Sequence, residues 1–308
     1  VDFEPNENQT AILEGLEQLI SGQAIEAPKE GVLLAFSEAL DAELALGGFL
    51  DIAREEEFTL LDAALVVERL ARLPVSAEVA FSALVAPLFP ADAVQRPFAL
   101  ASGNALAPAR FLAVARTLIV DKRDELLVIE VDPARVQPVE SLFAYPYGEL
   151  ASLDGLQVQT FGAEMAAAVR RRWRLAMAVE GVGLMQSAID TVIEHVTNRY
   201  QFNRPLGSFQ AIQHRLAVAA GKQQSARWLA LRAAWSDSEA DCALAAGYLQ
   251  DCIPTMVYDL HQFCGAMGLT LEFPLHFWTY RLKAMLGELG GSSAQARAAA
   301  RATWPDAA

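Results

Sequence analysis

The chain has 308 residues, 38 acidic against 24 basic side chains, and a formal net charge of −14, with 53% hydrophobic and 20% charged residues. Apolar content this high excludes an intrinsically disordered chain, and the length allows two or three domains, each with its own core. The acidic balance argues against nucleic acid or an anionic membrane as a partner, since both demand clustered Lys and Arg, but a single basic pocket could still hold a phosphorylated small molecule.

Residues 1–92 read as an N-terminal helical domain. Ile12, Leu16, Leu19 and Ile20 recur at helical spacing, as do Leu60, Leu61, Ala64, Leu65 and Leu70, and Pro74, Pro87 and Pro90 punctuate the end. Residues 93–162 are predicted to form a small β-domain, because the runs FLAVARTLIV and LLVIEV are rich in β-branched residues and flank the charged turn DKRDE, a hairpin pattern. Residues 163–308 are helical again, with long helices expected over 165–199, 211–235 and 239–263, the last kinked at Pro254, and an alanine-rich helix over 293–302. Long helices with short connections predict a bundle, so the expected class is mainly α with a small β-domain.

No uninterrupted apolar run approaches about 18 residues. Cys242, Cys252 and Cys264 are odd in number and lack metal-ligand spacing, and with no recognisable leader they predict a cytoplasmic protein with reduced thiols. The four histidines show no paired spacing, so no metal is expected. Asp237, Glu239 and Asp241 are expected to form a solvated connection between helices.

The most informative stretch is 198–213, NRYQFNRPLGSFQAIQ. Arg199 and Phe202, three apart, are expected to share one helix face; Pro205 and Gly207 then interrupt the helix, Ser208 is expected to N-cap the next one, and Gln210 lies in its first turn. Such a corner offers a guanidinium, free backbone N–H groups and an aromatic edge to an anionic cofactor, the alternative being a helix hairpin with an exposed arginine. This stretch resembles the start of the C-terminal domain of flavin-dependent acyl-CoA dehydrogenases, where an arginine precedes a phenylalanine and then a P-L-x-x-F-Q run. Residues 262–274, QFCGAMGLTLEFP, are similar to that family's glutamine, glycine-rich turn and E-x-P element, and DFEPNENQTAILEGLEQLI is similar to its first helix.

The resemblance implies an N-terminal helical domain, a reduced middle β-barrel and a C-terminal four-helix bundle. It also implies that Arg199, Phe202, Gln210, Gln262, Gly265 and Ala266 reach across a subunit interface toward the adenosine and pyrophosphate of a neighbour's FAD. Plainer roles stay open for each: an ion pair of Arg199 with Glu194, core packing of Phe202, capping by the glutamines, and a helix C-cap at Gly265. Ala266 stands where the family has a second glycine.

The departures from the family matter as much. The catalytic carboxylate is usually in a Y-E-G-T motif, and counting from Arg281 puts Gly290 at its position, with Gly291 and Ser292 matching the G-T pair. Glu288, two residues back, is expected on the opposite helix face. Some members carry the base early in the first long bundle helix; aligning on GLMQ puts Trp173 there, with Glu180 two turns further on. The flavin-holding T-E-P-x-x-G-S-D loop is matched only by FALASGNALAPAR. PLHFWTYRLKAMLGELGG is especially similar to the base-lacking subunits of heteromeric steroid side-chain dehydrogenases. The resemblance therefore implies a non-catalytic, FAD-completing subunit of an α2β2 acyl-CoA dehydrogenase. Its partner subunit would supply the base and bind most of a bulky, steroid-type acyl-CoA, and an electron-transfer flavoprotein would serve as acceptor. A self-sufficient homomeric dehydrogenase with a relocated base, or a non-enzymatic scaffold module, are the alternatives.

Overall fold

The computed structural model describes residues 3–22, 33–34, 36–91 and 93–304. In the first region, α1 (Glu7–Gly22), α2 (Glu38–Leu46), α3 (Leu60–Ala71) and α4 (Ala80–Leu84) surround one apolar core. A capping box starts α3: Asp62 accepts from the Thr59 backbone N–H at 2.6 Å, satisfying a donor the helix leaves unpaired. The other Asp62 oxygen accepts from Gln9 Nε2 at 2.7 Å, so the same carboxylate ties α1 to α3.

Two small sheets follow. Strands β1 (Phe98–Ser102), β2 (Ala109–Arg110), β3 (Thr117–Asp121), β4 (Glu125–Glu130), β5 (Val136–Val139), β6 (Tyr147–Leu150) and β7 (Val158–Gly162) form a sheet in the order β1-β3-β4-β7 and a second in the order β2-β6-β5. The hairpin read around DKRDE is β3–β4, antiparallel with Thr117 opposite Glu130. The run FLAVARTLIV is strand only from Thr117. Phe111 has a φ of 66° and residues 111–114 turn, which brings the short strand β2 beside β6.

The rest is helical: α5 (Ala163–Asn198), α6 (Gln210–Ser236), α7 (Glu239–Cys264), α8 (His276–Ala284) and α9 (Gly291–Thr303). By length and composition α5 could cross a membrane, but most of its apolar stretch is buried within the protein, the position of a core helix. It packs on α3, α4, α6, α7 and α8. Pro254 lies inside α7 without ending it. The connection between α6 and α7 departs from the solvated loop expected of it. Asp237, a left-handed C-cap at φ 45°, binds both Arg171 (3.0 Å) and Arg172 (2.8 Å) of α5, while Glu239 pairs with Arg174 and Asp241 with Arg232. The sequence separation of those arginines concealed the pairing.

α5 crosses α3 closely at Gly183, where a Cβ would stand 2.3 Å from the Glu68 backbone oxygen and 2.8 Å from the Ala71 Cβ. A backbone oxygen cannot rotate away, so Gly183→Ala is expected to overpack the crossing and cost about 1–3 kcal/mol. The measurement is the urea midpoint, and an unchanged midpoint would show that the two helices can separate freely.

Candidate functional site

The structure changes the geometry of the 198–213 corner. Helix α5 ends at Asn198, and Arg199 is already extended at φ −90°, ψ 119°. Strands β8 (Tyr200–Gln201) and β9 (Arg204–Pro205) form a hairpin whose central residues, Phe202 and Asn203, have φ values of 54° and 60°, the left-handed pair that suits a two-residue loop. Arg199 and Phe202 therefore do not share a helix face. Ser208 is not the N-cap either: it sits in a 3-10 turn, its hydroxyl donates to the Pro205 carbonyl at 2.7 Å, and Phe209 is the residue that opens α6. Gln210 is in the first turn, as the spacing indicates.

Four of the six sequence-derived residues gather. Arg199, Gln262, Gly265 and Ala266 line a surface cleft of about 510 Å³ with His195, Arg215 and the end of α7. Phe202 and Gln210 do not line it. Phe202 is 84% exposed, its ring edge-on to Phe209 at 6.2 Å, and Gln210 is exposed. Gly265 is the C-cap of α7 with φ 59°, its N–H bonded to the Gln262 carbonyl, so capping and the cleft wall coincide in one residue. Among the described residues no carboxylate lines the cleft, in a chain of net charge −14. Arg199 makes no ion pair with Glu194 or with any other described residue. Arg215 pairs with Asp259 and lies over the Phe263 ring at 4.9 Å. Burial, and next the charge of Arg199, hold the His195 pKa below its usual value, which keeps that ring neutral beside the arginine. Sequence reading missed His195 and Arg215; both fall one helical turn or so from residues it named, which is the signal that could have found them.

Of the two positions the resemblance gives for the catalytic base, Trp173 is buried and Gly290 is exposed, and the interior beside Trp173 is filled. Arg110 of β2 reaches in from the sheet and pairs with Glu180 of α5 (Nη1 to Oε2, 2.6 Å) and with Glu288 (Nε to Oε1, 2.6 Å). The Tyr145 hydroxyl donates to Glu180 at 2.7 Å, and Trp173 Nε1 donates to Glu288 at 2.7 Å. The guanidinium sits 4.5 Å from the Phe81 ring centroid. Arg110 and Trp173 are each 3% exposed and Glu180 is 6% exposed. Glu288 does not point away from the site, as a helical count suggests, because the segment is not α-helical there: Glu288 has ψ 138° and Leu289 φ 51°. Glu180, two turns from Trp173 on the same helix face, enters the same cluster.

Burial pushes the Glu288 pKa up, with Arg110 and the Trp173 hydrogen bond pulling the other way. For Arg110 burial opposes the charge, but Glu180 and Glu288 outweigh it and hold the guanidinium firmly protonated. Tyr145, raised well above its ordinary value by burial and then by Glu180, stays a phenol and a donor. The cluster is a buried ion network in which Arg110 Nε, although 2.6 Å from Glu288 Oε1, makes no aligned hydrogen bond.

Residues 162–303 match the family model for the acyl-CoA dehydrogenase C-terminal domain. Over 123 residues the chain is 29% identical to the acyl-CoA dehydrogenase IpdE2 of Mycolicibacterium smegmatis, a match covering 40% of this chain and 40% of that relative, so the aligned part spans well under half of the curated protein. Among solved structures, a variant of the Tcur3481-Tcur3483 steroid ACAD superposes with a TM-score of 0.77 at 21% identity, covering 98% of this chain and 99% of that one. The ChsE4-ChsE5 complex from Mycobacterium tuberculosis gives a TM-score of 0.72 at 18% identity, covering 96% and 97%. At these identities the structural matches establish the fold.

Proposed function

We propose that this chain, whose residues 162–303 are an acyl-CoA dehydrogenase C-terminal domain on a chain of that fold, is the non-catalytic, FAD-completing subunit of a heteromeric α2β2 acyl-CoA dehydrogenase. The observation that carries this reading is the contrast between its two sites. The interior position that would need a free carboxylate beside a thioester holds Arg110 clamped between Glu180 and Glu288. The outer cleft, by contrast, presents an unpaired arginine and no acid.

The cleft residues fit a dinucleotide. Arg199 supplies a planar fork for pyrophosphate oxygens, and Gln262 can donate and accept beside it. Gly265 and Ala266 expose little more than backbone. FAD, when bound, supplies the two-electron oxidising capacity that α,β-dehydrogenation of an acyl-CoA requires. This chain's part is to bind and orient that cofactor at the interface, while the partner subunit supplies the carboxylate that removes the α proton. A bulky steroid side-chain acyl-CoA suits the reading, since the structures it resembles in fold include a steroid ACAD. An electron-transfer flavoprotein is the acceptor in this scheme.

A homomeric enzyme would need Glu288 as its base. Although burial raises its pKa, that carboxylate is already taken up by Trp173 and Arg110 inside the protein, so it is not free to face a thioester. The test is purification of the chain alone and co-expressed with an acyl-CoA dehydrogenase-like chain that retains the Glu base. The chain alone is expected to be colourless or insoluble and inactive, and the pair yellow and active. A yellow, active single chain would overturn the reading.

A further inference from the structure

The cleft wall that carries Gly265 and Ala266 is the 3-10 turn Gly265–Leu269, which follows directly on α7. Apolar packing does little to hold this turn. Ala266, Met267 and Leu269 are exposed, Leu269 to 74%, and Gly268 is its buried member. Gly265, at φ 59°, is the residue type least able to hold a backbone conformation by itself. Thr270 donates to the Met267 carbonyl from its N–H at 3.1 Å and its hydroxyl at 2.9 Å, but these bonds are local and do not fix where the turn stands. A segment with so few buried contacts opens easily unless something ties it down.

His261, in the last turn of α7, is placed to be that tie. Its Nδ1 lies 2.6 Å from the Gly268 carbonyl, and its Nε2 lies 2.9 Å from Thr279 Oγ1 of α8. A carbonyl only accepts, so in the neutral ring Nδ1 carries the proton and Nε2 accepts from the Thr279 hydroxyl. Burial, helped by Lys283 and His276 of α8, outweighs the Gly268 bond and holds the His261 pKa below its usual value, which favours the neutral ring. The ring plane is fixed as well, because Tyr280 of α8 stacks on it with centroids 6.2 Å apart and 18° between the planes.

Gly268 comes so close to α7 that a Cβ there would stand 2.9 Å from the Cys264 Cβ and 3.1 Å from the His261 carbonyl oxygen. The turn is thus folded back on the helix end, with its Gly268 carbonyl taken up by the imidazole. His261 does not line the cleft itself, so it acts on a ligand there through the turn.

We propose that His261 is a positioning residue for the cofactor cleft: it clamps the Gly265–Leu269 turn to α8, so that the Gly265 and Ala266 backbone is in place before a dinucleotide arrives. The inference rests on the FAD-completing role proposed above and adds how the cleft is held ready. Such preorganisation strengthens binding, because the cost of ordering the turn is met on folding and not on association.

The test separates the two ring nitrogens. Asparagine places its amide nitrogen near the position of Nδ1, whereas glutamine reaches that of Nε2. In the co-expressed complex, with FAD dissociation read from recovered flavin fluorescence, His261→Gln is expected to weaken FAD binding about fivefold, the worth of one net hydrogen bond. His261→Asn, which can still donate to Gly268, is expected to stay within about twofold of wild type. Equal affinity in the two variants, whether both match wild type or both fall, overturns the inference. A second measurement needs no variant. In the wild-type complex stripped of flavin, amide exchange across residues 265–270 is expected to be as slow as in the loaded complex. A turn that exchanges freely until FAD binds would be ordered by the cofactor and not by His261, which also overturns the inference. Failure of the FAD reading shows separately, as flavin content indifferent to Arg199→Ala; flavin that depends on Arg199 but not on His261 sinks the positioning role alone.

Discussion

Replacing Arg110 with methionine is expected to destabilise the fold by about 3–5 kcal/mol, the usual cost of removing one partner from a buried ion network. The chain holds Arg110 between Glu180 and Glu288 with all three largely shielded from water. Without the guanidinium, two carboxylates face each other in a site that already pushes the Glu288 pKa up. One or both must take up a proton on folding. The loss should therefore shrink as pH falls toward the range where carboxylates protonate in the unfolded chain, and be largest near neutrality. Chemical denaturation at two pH values measures it. A triple variant, Arg110→Met with Glu180→Gln and Glu288→Gln, should recover much of the loss, because no uncompensated charge remains. An Arg110→Met chain as stable as the parent at neutral pH would mean that water reaches the cluster and that the interior site is open after all.

Arg199→Ala is expected to lower FAD affinity in the co-expressed complex by roughly ten- to a hundredfold. A charge-assisted hydrogen bond to phosphate is worth about 1.5–3 kcal/mol, and each 1.4 kcal/mol is a factor of ten. Arg199 has no competing carboxylate among the described residues, so its removal creates no new unpaired group there and should leave stability almost unchanged. Arg199→Lys should fall between, since it keeps the charge but loses the fork. Arg204→Ala is the control: that guanidinium packs on the Phe209 ring at 3.8 Å and lies outside the cleft lining. Flavin absorbance per complex is the readout, and equal loss in the Arg204 and Arg199 variants would remove the case for a specific pyrophosphate contact.

Local patterning made the class and element order legible. Apolar residues at helical spacing marked α1, α3 and the three long helices of the bundle. The β-branched runs around DKRDE marked the β3–β4 hairpin, because side-chain periodicity reflects which face must be buried. The 198–213 corner was legible only in composition. Its Pro, Gly and Asn residues signalled a break, yet the helix stopped earlier than a 3.6-residue count suggested, and a hairpin with two left-handed residues replaced the expected helix face. Helical counting also misplaced Glu288, whose backbone leaves the helix just before Gly290.

By itself, the sequence determined a mainly helical chain with a small β-region, an acid-rich surface, and the absence of glutamate at positions 173 and 290. Those properties follow from residue identity and short-range spacing, which need no knowledge of distant neighbours. Tertiary structure alone decided what occupies the interior in place of a base, because Arg110 and Glu288 are 178 residues apart and meet only when β2 folds against the bundle. It also decided that, among the described residues, Arg199 would stand without a carboxylate partner in its cleft while the arginines of α5 were each claimed by one. Charge pairing across long sequence separations depends on how elements pack, and no local pattern encodes it.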